Sequence, residues 1–323
     1  YSNILVYNIL FIICLSGLYY CHIHTQRPYL AIISAILAFF ICGLELNYNA
    51  LQIHSVQFPE KYEQASSYKT KVNATNELLQ YVSEREAQDS VYRTETLNDA
   101  QRSFNDGFLY NINTLTMYSS SEKQINWDPF YTLGWGHIEW CADYDNNTTA
   151  LSRSIAGVKY FIDSEVQINE SIYEKIATKD GQTLYFNPTV LPLGFLVNDS
   201  ALNIHSVYTD NLFQYQNDLY HALIGSSPED VYTWTNSPVS EENTSVTNRI
   251  VQQTDGSFTD GKNVYWENYE LLKQGLDTNS QYTVSLTSTK DSKINGKFLN
   301  PTTGDAYVCF SIPYEKAWKI KVD

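Results

Sequence analysis

Two apolar runs at the start of the chain limit what it can fold into more than any other feature. The first, ILVYNILFIICLSGLYYCHI, covers Ile4 to Ile23, and the second runs from Tyr29 to Leu46. Each has about the length a helix needs to cross roughly 30 Å of hydrocarbon at 1.5 Å per residue. Core helices of soluble proteins rarely stay apolar around their whole circumference for this long. A secretory leader needs a basic start and a small-residue cleavage site before polar sequence; here neither is present and a second run follows. The link CHIHTQRP carries Pro28, expected to break the helix, with Tyr19, Tyr20 and Tyr29 where rings favour the headgroup layer. The pattern predicts a transmembrane hairpin over residues 1–50. Arg27, with His22 and His24, is the basic cluster beside the spans, which places the link in the cytoplasm and both ends outside. Tyr1 in place of a start methionine points to a piece of something larger.

Arg27 and Glu45 are the only charged residues before residue 51, so the formal balance of −15 belongs to the remaining chain. Such a surface repels phosphate backbones, which excludes a nucleic-acid partner. Glu45 closes the second run, where a carboxylate is either a costly functional group or simply interfacial. The remainder is long enough for one large or two ordinary domains, and its wealth of Tyr, Asn, Ser and Thr suits β-structure.

Beyond the spans, Val72, Leu78, Leu79 and Val82 approximate a helical period within Glu60 to Gln88. At VYRTET the period becomes two, with Arg93 and Glu95 on one face of a strand; that pairing is either a structural ion arrangement or a clamp for sugar hydroxyls. Ser119, Ser120 and Ser121 follow, with no base nearby in sequence to mark a nucleophile. In GWGHIEWC, His137, Glu139 and Cys141 alternate and would share a strand face, but the Cys-x-x-Cys pair that zinc deaminases add is missing, so no metal site is assigned. Trp127, Trp135 and Trp140 either stack on sugars or fill a core. Cys141 and Cys309 could pair in an oxidising compartment, although two cysteines make no disulfide framework.

Ile155 to Ile162, Thr183 to Asn187 and Val190 to Val197 read as strands of a buried sheet, with Pro192 implying an edge or bulge. Asp210 is placed to cap a helix from Asn211 to Ile224 that ends at Gly225. After Ser226 the strand-like runs are 248–252, 263–266, 281–286, 306–312 and 316–322, and Asn295-Gly296 is the strongest hairpin signal. The fold class expected is therefore α+β: the hairpin, a mixed α/β extracellular region over 51–225, and a β-sandwich over 226–323 whose last strand, AWKIKVD, stops as if truncated.

An ordered series of motifs resembles the YfhO-like bacterial membrane proteins: ELNYNA from Glu45, YRTET from Tyr92, the serine cluster after Tyr118, GVKYFI from Gly157, LPLGF from Leu191, FQYQNDLYHALIG from Phe213 and IPYEKAWKIKVD from Ile312. Ser121 stands where the pattern tends to have Thr, and Ala317 where Gly usually precedes the tryptophan. The resemblance implies a multi-pass glycosyltransferase of the GT-C type in a Gram-positive cell membrane. Such an enzyme takes sugar from a polyprenyl-phosphate carrier and adds it to a cell-surface polymer such as lipoteichoic acid. It implies a polyprenyl-phosphate-linked sugar as donor; this stretch identifies no other cofactor. The partners implied are membrane lipid and the cell-surface glycopolymer. The catalytic carboxylate is expected in the first extracellular loop of such enzymes, so none is assigned here, and the outer region is expected to position the acceptor. Candidate glycan contacts are Arg93, Asn98, Trp135, Gln216 and Asn217, each of which also has a purely structural reading. The alternative is a membrane-tethered glycan-binding or adhesion module without catalytic activity.

Overall fold

A computed structural model describes all of the chain except residues 1, 58–64, 88–89, 98–104, 119–132, 139–140, 144–147, 164–168, 170, 205–210, 226–228, 236–250, 253–254, 260–262, 280–283, 291–292, 299–306, 313, 315 and 322–323. It divides into two units, residues 1–68 and 69–323.

The first unit is the expected helical hairpin. Helix α1 spans Ser2–His24 and α2 spans Pro28–Gln57. Pro28 opens α2 rather than ending α1, because a first-turn N–H has no helical partner to lose. The stretches Tyr7–His24 and Pro28–Ile53 are long and apolar enough to cross a membrane. Their large side chains point outward on all sides, Phe39 being 83% exposed. The turn is fastened by His22, whose Nδ1 lies 3.0 Å from the Ala31 carbonyl and 3.2 Å from Ser34 Oγ, and by Arg27 donating to the Tyr29 hydroxyl. Glu45 lies inside α2, about 26 Å along the axis from Pro28.

Helix α3 (Ala65–Arg85), which enters the second unit at Lys69, lies there on a four-stranded sheet of order β1-β5-β7-β6. Its strands are β1 (Arg93–Leu97), β5 (Val158–Asp163), β6 (Glu174–Lys179) and β7 (Gln182–Phe186). β1 runs parallel to β5, and the other pairs are antiparallel. Leu78 and Val82 pack on Tyr160, Ile162 and Leu184, and Thr75 donates to Gln182 Oε1. Ion pairs Glu86–Lys159, Glu77–Lys179 and Arg85–Glu174 rim this contact. The opposite face carries Leu97, Val158, Phe161 and Tyr185. Both faces of β1 are thus covered, which removes the polar side that the alternation of VYRTET suggested. β6 and β7 are joined through Asp180 (φ 44°) and Gly181 (φ 82°), the two left-handed residues of a tight hairpin turn.

Between β1 and β5 come α4 (Asp106–Tyr110), a small sheet of β2 (Met117–Tyr118), β3 (Gly136–Ile138) and β4 (Cys141–Asp143), and α5 (Ala150–Ile155). β3 and β4 are antiparallel, with His137 opposite Ala142 and Ile138 opposite Cys141. The chain therefore reverses within GHIEWC, and the single strand expected to align His137, Glu139 and Cys141 is not formed.

β8 (Gly194–Val197) leads to α6 (Leu212–Ile224), capped by Asn211, whose Oδ1 accepts from the Phe213 and Gln214 amides. Asp210, expected as the cap, lies outside the described residues. Gly225 ends the helix at φ 85°, as expected. A second sheet has order β10-β11-β12-β9, from β9 (Tyr232–Thr235), β10 (Val251–Gln252), β11 (Phe258–Thr259) and β12 (Val264–Glu267), all antiparallel. Phe213 stacks on Tyr265 at 4.1 Å and joins α6 to this sheet.

The C-terminal stretch read as a β-sandwich also holds a helix, α7 (Tyr269–Asn279). Its remaining described strands are the hairpin of β13 (Ser285–Lys290) with β14 (Lys293–Lys297), and β15 (Tyr307–Phe310), which pairs back with β8. One hydrophobic cluster runs through α5, β8, α6, β12 and α7, from Leu151 to Leu276, and so bridges the boundary expected at 225. Asn295-Gly296 lies within β14 opposite an irregularity between Leu286 and Ser288, and the hairpin turns between Lys290 and Lys293 instead. The described residues from Lys316 to Lys321 form no strand; Trp318 and Ile320 stand exposed there, without a sheet to bury either face.

Candidate functional site

The described candidate residues, Arg93, Trp135, Gln216 and Asn217, lie in three buried polar groups of the second unit. The first centres on Arg93 and Glu95, which β1 presents on one face. The Arg93 guanidinium donates to the Ala156 carbonyl, to the Ser311 carbonyl at 2.6 Å and to Ser311 Oγ at 3.3 Å. It thereby ties β1 to the α5–β5 turn and to the residue after β15. Gly157 makes that turn possible: its φ is +69°, and a Cβ there would lie 2.6 Å from Leu193 Cδ2. Burial lowers the Arg93 pKa to about 10 against the opposing pull of Glu95. Glu95 is fully buried and accepts the amides of Leu115 and Thr116. Burial pushes its pKa up to about 7, outweighing those amides and Arg93.

The second group surrounds α5. Thr149 caps the helix by accepting from the Ser152 amide, and donates to Gln216 Oε1 at 2.6 Å. Gln216 Nε2 reaches the Leu133 carbonyl, and Trp135 Nε1 donates to Ser152 Oγ at 3.2 Å. Ser154 bonds the Thr189 hydroxyl, and Asn187 closes an Asx turn on Thr189 while donating to the Val158 carbonyl.

In the third group, Asn217 Nδ2 donates to the Tyr232 carbonyl and its Oδ1 accepts the Tyr232 amide, so the side chain acts as a strand partner for β9. The Tyr232 hydroxyl donates to Glu267 at 2.7 Å, whose carboxyl pKa burial raises. Arg153 donates to Thr148 Oγ1 at 2.6 Å and sits 5.1 Å from the ring centres of both Phe161 and Tyr173.

Of the five residues singled out for glycan contact, Arg93, Trp135, Gln216 and Asn217 are buried and their polar groups bond within the fold; Asn98 lies outside the described residues, as do Ser119, Ser120, Ser121, Trp127, Glu139 and Trp140. Gln216 and Trp135 meet through the α5 cap, whereas Arg93 and Asn217 anchor separate places. Arg153, Glu267 and Asn187 were missed by sequence reasoning; the signal for Asn187 was its Asx-turn spacing to Thr189. Cys309 is a free thiol, half-buried against the main cluster. These networks fasten loops and strands, and within them burial brings the Glu95 carboxyl near neutrality.

Asn217→Ala leaves both backbone groups of Tyr232 unpaired in a dry core. A loss of about 2 to 3 kcal/mol is expected, since an unsatisfied buried group costs about 1–3 kcal/mol. Thermal melting of the protein in detergent reads it, and Asn217→Asp, which keeps only the acceptor, is expected to fall between.

A family model described as bacterial membrane protein YfhO matches residues 1–261. The chain belongs to the YfhO family. Among curated proteins and among solved structures nothing matches it. The YfhO match takes in both apolar helices, the whole first sheet, α6 and β9 to β11, and with the two candidate spans it makes this a membrane protein. Motifs of the resemblance meet in space: Arg93 of YRTET, Gly157 of GVKYFI and Leu193 of LPLGF all border the buried guanidinium or its turn. Ser311, which with Ala156 anchors the guanidinium, directly precedes IPYEKAWKIKVD, which lies outside the matched range.

Proposed function

We propose that this YfhO-family chain serves a multi-pass glycosyltransferase that takes sugar from a polyprenyl-phosphate carrier and adds it to a cell-surface polymer such as lipoteichoic acid, with residues 69–323 outside the cell holding the acceptor. The observation that carries the reading is the family match running unbroken from both spans into the α/β unit. Membrane anchorage and a firmly cored outer platform thus belong to one polypeptide, the arrangement needed to hold a polymer near a lipid-linked donor. The chemistry needs a carboxylate beside the acceptor hydroxyl. Glu95 does not serve as that group, because its oxygens are enclosed by backbone amides. Acceptor contact falls instead to exposed rings: Trp234 on β9 and Trp266 on β12 are 59% and 44% exposed, and such faces suit sugar stacking.

Membranes containing the protein, given labelled polyprenyl-phosphate sugar and lipoteichoic acid, are expected to move label into the polymer, and Trp234→Ala with Trp266→Ala is expected to raise the acceptor KM. Polymer binding without transfer would instead identify a tethered glycan-binding module.

A further inference from the structure

The segment 113–117, which follows α4 and runs into the first residue of β2, is held on β1 without a regular ladder. Thr94 N donates to the Asn113 carbonyl and Asn113 Nδ2 to the Tyr92 carbonyl. Beyond that point the Glu95 carboxylate substitutes for a strand neighbour, one oxygen taking the Leu115 amide and the other the Thr116 amide. We propose that Glu95 is a proton-operated latch: with its proton bound the 113–117 segment stays closed on β1, and loss of the proton loosens it.

The physical basis is the full burial of the carboxyl group, which disfavours its charged form. Among the described residues, two amides, the Thr116 hydroxyl and one nearby cation are what the fold offers an ionised Glu95, and burial outweighs all four; that cation, Arg93, spends its guanidinium on Ala156 and Ser311. Of the other charged groups on the surrounding elements, Asp106 of α4 takes the Thr96 hydroxyl, Asp163 ends β5, and Arg153 of α5 lies over Phe161 and Tyr173. Arg93 is the charge that acts on Glu95. An ionised carboxylate in this setting gains by reaching water, and lifting 115–116 from β1 is the short route. The carboxyl pKa of about 7 when closed exceeds that of a hydrated glutamate. The closed form therefore binds more protons over that interval, and its advantage is full below the hydrated pKa and declines as pH rises through about 7.

Hydrogen exchange of the intact chain in detergent tests this between pH 5 and 8.5, after correction for intrinsic exchange rates. Protection of peptides covering 113–117 is expected to fall on the order of 100-fold across that range, while peptides from β7 stay level. Glu95→Gln, which cannot ionise, is expected to abolish the fall. A pH-independent wild-type segment, or the same fall in Glu95→Gln, would overturn the proposal. The infrared band of the protonated carboxyl requires no variant: its loss near pH 7 supports the latch, and its absence throughout the range refutes it.

Discussion

Replacing Arg93 by alanine is expected to lower the melting temperature by about 10 °C, the equivalent of about 3–5 kcal/mol in a unit of this size. Three costs combine. The carbonyls of Ala156 and Ser311 lose their donor inside the fold, Glu95 loses the cation beside it, and a long buried side chain leaves a cavity. The effect should not be uniform. Ser311 follows β15, and β15 pairs with β8, so exchange protection at Val308 and Cys309 is expected to fall before that of Leu184 in the first sheet. Arg93→Lys tests the geometry of the interaction. An ammonium keeps the charge next to Glu95 but lacks the planar fork that reaches two chain segments together, so most of the loss should remain. If Arg93→Lys melts like the unmodified protein, charge alone sets the role of this residue and the tie to Ser311 contributes nothing.

The same region shows how far the sequence could be read. Elements whose period and end signals agree were legible: both membrane helices, α3, and α6 with its closing Gly225. The runs Ile155 to Ile162 and Thr183 to Asn187 also stood out, because short β-branched and aromatic runs between turn residues have few other uses; they form β5 (Val158–Asp163) and β7 (Gln182–Phe186), with Ile155 ending α5 instead of opening the strand. Elements whose local signals conflict were not. In α7, Tyr269, Leu272 and Leu276 have helical spacing, but Gly275 interrupts the pattern and neighbouring runs are strand-like. The structure supplies the reason for that glycine: a Cβ there would lie 2.3 Å from the Tyr220 hydroxyl, which donates to the Leu271 carbonyl where α6 meets α7. Asn295-Gly296 drew attention as a turn, while Asp180-Gly181, the same kind of signal, makes the hairpin of β6 and β7.

Candidate residues were harder still. Arg93, Gln216 and Asn217 are polar, and polarity in sequence suggests a surface. Their role in this fold is to tie separate segments together: Arg93 takes the Ser311 carbonyl, Gln216 the hydroxyl of Thr149 that caps α5, and Asn217 the backbone of Tyr232. Those partners are up to 218 residues away in sequence, beyond the reach of any local pattern. Trp234 and Trp266, by contrast, sit on strands where alternation argues for burial of every second residue: Trp266 follows buried Tyr265, whereas Trp234 is exposed although it shares its parity on β9 with buried Tyr232.

Gly157→Val is expected to destabilise by about 3–5 kcal/mol, combining roughly 1–3 kcal/mol for a β-branched residue at a left-handed backbone position with about 1–3 kcal/mol for overpacking. The backbone term follows from φ of +69° and the packing term from Leu193 Cδ2 at 2.6 Å from the position of the new Cβ. Gly157→Ala separates them, since alanine meets the same Leu193 atom with less bulk and less backbone strain, and is expected to cost about half as much. The new Cβ would also stand 3.7 Å from Arg93 Nη1, so a larger residue displaces the guanidinium that joins the Ala156 and Ser311 carbonyls. Part of the damage is therefore shared with Arg93→Ala. Melting of the double variant should show a loss smaller than the sum of the two single losses, by about 1 kcal/mol or more, as expected for residues in one contact network. Strict additivity would mean that the turn and the arginine act independently, contrary to the arrangement in which the glycine's missing side chain makes room for both Leu193 and the buried guanidinium.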